Sequence, residues 1–229
     1  MELVKYGIKL HRLRQEDIEL VRKWRNSPLI RQYMEFRDEI TPEMQKTWFH
    51  SINNTENYYF IIEYQQKKIG LINSSHVDWT TRSSEGGIFL WDVQYYETFV
   101  PVWASLCLLE TSYHILGAGN SEVRILRDNE RAQKLVLNLG YELQPGQEDL
   151  YNQHYILTPE RFFRHSRRLI KAASLLTGQK EATHTLFFDR EDILSGLADF
   201  IDDKIDRKRV AAFTESVDNR FYEFMIRED

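Results

Sequence analysis

Residues 84–117, SEGGIFLWDVQYYETFVPVWASLCLLETSYHILG, constrain what this chain can fold into more than any other stretch. Residues 87–91 are short, apolar and β-rich, which predicts a buried strand. Val102, Leu106, Leu109, Tyr113 and Leu116 then recur on one helical face. Pro101 suits the first helical turn, where its missing N–H costs nothing, and Gly117 suits the C-terminal cap. A strand that feeds a helix through a tight turn makes an anion site, because unpaired N–H groups and the helix dipole both point at the turn.

The segments on either side predict a mixed α/β sheet. Residues 7–13 read as a strand and residues 15–26 as a helix stopped by Pro28. Thr41-Pro42 opens a second helix with Met44, Trp48 and Ile52 on one face. Residues 58–64 and 69–77 read as strands joined by a hairpin turn at Lys67-Lys68. Residues 122–127 form another strand. Asp128-Asn129 cap a helix that ends at Gly140, and residues 141–143 and 151–157 return to strands. The order is not that of a doubly wound sheet. After Thr158-Pro159 a basic amphipathic helix is expected, then a linker at Gly178-Gln179-Lys180, a strand, an acidic helix over residues 191–205 and a closing hairpin. We therefore divide the chain into a domain at residues 1–158 and an α+β extension, helix-rich with strands, at residues 159–229.

Composition narrows the function. The 229 residues carry a net charge of -5, which argues against a general nucleic-acid binder. No apolar run approaches the roughly 20 residues of a membrane span, and residues 1–10 lack a signal-peptide core. Cys107 is the single cysteine, which fits a reducing, cytoplasmic setting and a buried thiol rather than a nucleophile. No ligand spacing for a metal is present.

Three segments carry a resemblance. Residues 24–34 (WRNSPLIRQYM), residues 40–49 (ITPEMQKTWF) and residues 128–142 (DNERAQKLVLNLGYE), in this order and spacing, resemble the GNAT N-acetyltransferase superfamily. The branch resembled holds ribosomal-protein acetyltransferases and enzymes that acetylate UDP-linked amino sugars. The resemblance implies a GNAT-like acyl-CoA N-acyltransferase fold over residues 7–157, with transfer of an acyl group from acetyl-CoA to an amine. It implies that Phe89, Leu90 and Trp91 pair with the pantetheine arm, and that Gln94, Tyr95, Tyr96, Thr98 and Val100 form the pyrophosphate turn, with Asn129 beside it. It also implies a small-molecule amine acceptor, lined by Trp24, Arg25, Asn26 and Arg31. Neither nucleic acid nor membrane is an expected partner; a homodimer is.

Two departures bear on the cofactor. The family's turn reads Gln/Arg-x-x-Gly-x-Gly, and here Glu97 and Phe99 stand at the glycine positions, which predicts weakened acetyl-CoA binding. The tyrosine that donates a proton to the leaving thiolate falls on Val136; Tyr95, Tyr96, Tyr141 and Tyr151 are the candidates to replace it. For the base, Glu85 sits where the family often places an acid, its plain alternative being a solvated strand-end carboxylate. His76 shares a strand face with Asp78, which could orient its imidazole. Two functions follow: a GNAT-family N-acetyltransferase acting on a small amine such as a nucleotide-linked amino sugar, or a GNAT-like binding or regulatory protein that does not use CoA.

Overall fold

A computed structural model describes residues 1–179 and 183–226. The elements run β1 (Glu2–Lys5), β2 (Ile8–Arg12), α1 (Ile18–Arg25), α2 (Pro28–Arg31), α3 (Pro42–Ile52), β3 (Tyr58–Tyr64), β4 (Lys67–Asp78) and β5 (Ser83–Leu90). Then follow α4 (Val100–Glu110), β6 (Ser121–Leu126), α5 (Glu130–Leu139), β7 (Glu142–Leu143), β8 (Asn152–Leu157) and α6 (Pro159–Thr177). The extension closes with β9 (Thr183–Phe188), α7 (Arg190–Leu194), α8 (Leu197–Asp202), β10 (Val210–Glu215) and β11 (Arg220–Met225).

All described strands join one sheet in the order β10-β11-β9-β1-β2-β3-β4-β5-β6-β8-β7. Every pairing is antiparallel except β5 with β6. The extension thus continues the sheet: β9 pairs with β1 through Leu3↔Leu186. Alternation along β3 assigns the two faces. Phe60 and Ile62 pack with Ala104, Cys107 and Leu108 of α4, whereas Ile61 packs with Val21 of α1 and Phe49 of α3. So α4 covers one face and α1 and α3 cover the other. From Ala104 to Glu110 every residue of α4 is buried, which explains an apolar pattern all round the helix. Each fully buried Leu contributes about 1.5–3 kcal/mol. No helix among the described residues is long and apolar enough to cross a membrane.

Several local expectations change. β1 precedes the first expected strand, and residues 6–7, both at positive φ, turn it into β2. The β3–β4 turn is Gln65-Gln66 (φ 49° and 63°) rather than Lys67-Lys68, and Lys67 already pairs with Tyr64. Two successive residues at positive φ give the twist a tight hairpin needs. Residues 15–17 form a 3-10 turn before α1, and Pro28 opens α2 instead of only ending α1. The long helix widens into a π turn, Thr111–Ile115, where the Thr111 and Ser112 hydroxyls donate to the carbonyls of Cys107 and Leu108 and compete with the regular ladder. The acidic helix of the extension breaks into α7 and α8 at Gly196, whose φ is 76°. The linker expected at Gly178-Gln179-Lys180 ends on a residue outside those described.

The extension is fastened through a buried polar cluster. Lys5 of β1 pairs with Glu110 of α4, Tyr6 donates to the same carboxylate at 2.6 Å, and His184 Nε2 of β9 lies 2.8 Å from Thr111 Oγ1. Burial pushes His184 well below its ordinary pKa. Burial also lowers His114, on the same π turn, to about 4.

Candidate functional site

β5 and β6 pair only at Ser84↔Ser121 and Glu85↔Glu122, then diverge. From Gly86 to Leu90, the edge of β5 that faces β6 has no strand partner among the described residues. The opening belongs to one continuous cavity of about 1130 Å³, walled by Gly86–Leu90 on one arm and Val123–Leu126 on the other. α4 and α5 line the half where the resemblance expects the acyl donor, called the donor half; α1, α3 and the loop between α2 and α3 line the opposite half, where it expects the acceptor, called the acceptor half. Gly86 keeps the fork's apex bare: a Cβ there would stand 3.4 Å from Val123 Cγ1 and 3.7 Å from Ser121 Oγ.

The turn before α4 is held by its own side chains. Asp92 accepts from the backbone N–H and the side-chain amide of Gln94, at 3.3 and 2.7 Å, so Gln94 is tied back and does not line the cavity. Tyr95 is buried against Tyr64, away from it. Tyr96 lines the cavity and donates to Leu90 O at 2.9 Å. Thr98 also lines it, accepting from Val100 N at 3.2 Å, while Val100 itself enters the core. The N–H groups of Glu97 and Phe99 have no acceptor among the described residues.

Phe99 stays outside the cavity, whereas Glu97 lines it from an exposed position. Glu97 is 87 % exposed and lies 3.4 Å from Arg131 Nε. The Arg131 guanidinium sits 4.2 Å from the centroid of the Tyr96 ring, where the ring face favours a cation. Phe99 is exposed and stacks on Trp103 outside the cavity. On the far wall, Asn129 lines the cavity and caps α5 by accepting from Ala132 N at 3.2 Å. Gly140, at φ 101°, ends that helix in the left-handed region.

Val136 faces the donor half and is buried. Of the four tyrosines that could replace a hydroxyl there, Tyr96 and Tyr141 line the cavity. Tyr151 is exposed and ties Arg37 to Asp128, at 2.8 Å to each. Tyr141 lies 2.8 Å from Ser121 Oγ at the foot of the fork, and burial pushes its phenol up to about 12.

In the acceptor half, the structure separates the four expected residues. Arg25 lines the cavity. It has neither an ion pair nor a hydrogen bond among the described residues, and burial depresses its pKa, with only Tyr59 opposing. Trp24 stacks on Trp91, 6.1 Å between centroids, and belongs to the core rather than the cavity. Asn26 clamps the following loop, donating to Ile40 O at 2.9 Å and accepting from Ile40 N at 2.8 Å. Arg31 does not line the cavity either. Tyr59, Asn73 and Gln45 do, and sequence reasoning missed all three. For Tyr59 and Asn73 the signal was the alternation of β3 and β4, which puts both on the face that α1 and α3 cover.

His76 and Glu85 come together, Nδ1 to Oε2 3.9 Å, but outside the cavity wall, with the imidazole 77 % exposed. Asp78 does not orient His76: it accepts from the N–H groups of Thr80 and Thr81, and His76 at φ 51° breaks the strand's alternation.

The described fold agrees with that of solved proteins. The chain is similar to apo FdhC, described as a nucleotide-linked sugar GNAT, with 20% identity and a TM-score of 0.61 over 74% of this chain and 96% of that one. It is similar to the spermidine N-acetyltransferase of Vibrio cholerae solved with CoA and spermine, with 18% identity and a TM-score of 0.60 over 69% and 99%. A domain from Methanocaldococcus jannaschii gives 23% and 0.56 over 66% and 97%. At these identities the likeness shows the fold. No curated protein sequence matches. The family model for the acetyltransferase (GNAT) domain matches residues 8–142, more than half of the chain and the part that builds the fork; the chain belongs to the GNAT acetyltransferase family.

Proposed function

We propose that this protein transfers an acyl group from acetyl-CoA, or a related acyl-CoA, to the amine of a small anionic molecule such as a nucleotide-linked amino sugar. The unpartnered edge of β5 from Gly86 to Leu90 carries the reading. An extended chain with amide groups is the ligand such an edge takes, by adding main-chain hydrogen bonds. The residues present fit the cofactor: Glu97, although on the wall, is exposed and faces Arg131, and the free N–H groups of the turn precede a helix N-terminus, which favours phosphate. Phe89 and Leu90 would border the pantetheine arm, whereas Trp91, the third residue expected there, lies in the core and donates its N–H to Ile69 O of β4 at 2.9 Å. Tyr96, Thr98 and Asn129 would border the phosphates. Bound acyl-CoA supplies a thioester carbonyl open to attack by an amine.

The chain's own residues would handle position and protons. Tyr141 and Ser121 supply hydroxyls at the foot of the fork. Glu85, the base we propose, lies outside the cavity wall with His76 beside it, so a water would have to carry the proton to it. Arg25 sets the acceptor class. The cavity's carboxylates, Glu97, Asp128 and Glu130, stand at the turn before α4 and at the start of α5, whereas Arg25 is the charged group that α1, α3 and the loop between α2 and α3 place on the wall among the described residues. A half-buried guanidinium without a partner favours an anion, and it repels a polyamine. The likeness of residues 24–34 and 40–49 to the branch that includes UDP-amino-sugar enzymes points the same way.

The second reading, a binding or regulatory protein that does not use CoA, draws on Glu97, Phe99 and Val136 at the family's glycine and tyrosine positions. Titration calorimetry with CoA separates the two. Binding within about 1 μM–1 mM, the range of ordinary substrates, is the expected result, together with faster acetylation of anionic amines than of spermidine or Lys-rich peptides. Absence of CoA binding would establish the second reading instead.

A further inference from the structure

The cavity does not stop at the fork. β5 and β6 close at Ser84↔Ser121, yet the space continues beneath the junction along α4. Pro101, Ser105, Leu108 and Ser112 line it at helical spacing, and Tyr113 and Ala118 lie further on. From Pro101 to Ser112 the wall is about 16 Å long at 1.5 Å per residue. A ligand arm running down β5 from Leu90 covers about 13 Å before it reaches the bare Gly86. Ser112, Tyr113 and Ala118 line space further along α4, and Val136, at the position where the resemblance expects a tyrosine, gives this wall a short side chain.

The chemistry of that lower end is one-sided. Leu108, Leu109, Val123, Val136 and Leu139 form its apolar walls and are buried. Its hydroxyls are already satisfied. Ser105 donates to Pro101 O at 2.9 Å, Ser112 to Leu108 O at 3.0 Å and Tyr113 to Leu157 O at 2.8 Å, and Ser121 and Tyr141 bond each other. A pocket with mostly apolar walls, whose hydroxyls already have protein partners, favours hydrocarbon over water.

Building on the acyl-CoA reading above, we propose that the lower end is an acyl pocket and that the donor carries an acyl chain longer than acetyl, of about the length of butyryl. Each methylene taken into such a pocket strengthens binding about fourfold, so butyryl-CoA should bind about 15-fold tighter than acetyl-CoA. Titration calorimetry of the full chain with CoA, acetyl-CoA and butyryl-CoA tests this, and the wild-type ratio alone decides it. Val136→Phe, its fold checked by thermal melting, should bring the ratio to about one. Equal or weaker binding of butyryl-CoA by the wild type, with CoA itself bound, overturns the acyl pocket and leaves the acyltransferase reading standing. Failure of all three ligands to bind overturns both.

Discussion

On the reading proposed above, the two halves of the cavity recognise by different means. The donor half is made of main chain: a bare glycine, an open strand edge, unpaired turn amides and hydroxyls already bonded to one another. The acceptor half is made of side chains, with one uncompensated cation, Arg25, among aromatic and aliphatic walls. Its loop is held at one point by the Asn26 clamp on Ile40. Main-chain recognition tolerates a change of side chain as long as the backbone keeps its path. Side-chain recognition does not. On that reading Glu97 and Phe99 replace glycine without closing the fork, whereas the choice of acceptor rests on very few residues.

The largest expected effect is common to both halves, because both hang on one sheet. His184 and His114 are held neutral by burial, with folded-state pKa values below the ordinary 6.5. The unfolded chain binds these protons first, so stability is complete above pH 6.5 and falls as the pH drops below it. Each imidazole costs about 1.4 kcal/mol per pH unit until its folded pKa is reached, near 4 for His114. Urea midpoints at pH 7 and pH 5 should therefore differ by several kcal/mol of stability, about 2 for each imidazole, and both ligand classes should weaken together. An unchanged midpoint would break the idea of a shared scaffold.

Next in size is Arg25→Ala. Loss of a hydrogen bond to a charged group costs about 1.5–3 kcal/mol, so KM for an anionic amine should rise roughly 10- to 100-fold. CoA affinity, measured by calorimetry, should barely move. An equal loss in both would show that the halves are not independent. The smallest effect is expected from Glu97→Gly combined with Phe99→Gly. The exposed Glu97–Arg131 pair contributes about 0–1 kcal/mol, so CoA affinity should change by less than about fivefold. A gain of a hundredfold would show that these side chains do block the turn.

The donor half was legible where local pattern decides structure. The strand, the turn and α4 follow from apolar spacing, Pro101 and Gly117, and α5 follows from Asn129 and Gly140. The directions of Glu97 and Phe99 were not legible. They depend on Arg131 and Trp103, and in the case of Arg131 the partner lies 34 residues away. In the acceptor half Arg25 was visible as a residue type, but Trp24 and Asn26, its neighbours in sequence, turn to the core and to the loop. A helical turn gives adjacent residues different faces, and which face meets the cavity depends on how α1 sits on the sheet. β1 escaped notice for a related reason: its short run ends in Lys5, which is buried only because Glu110 arrives from α4.

The pairing of β1 with β9 sets a timetable for biosynthesis. Leu3 finds its partner at Leu186, 183 residues further along. At 5–20 residues per second, about 10–40 s pass between their emergence from the ribosome. Throughout that interval the outer edge of β1 presents unpaired N–H and C=O groups, a template for any other extended chain. The nascent protein is thus open to mispairing until β9 is made, and arrest of translation near Thr177 would leave that edge uncovered.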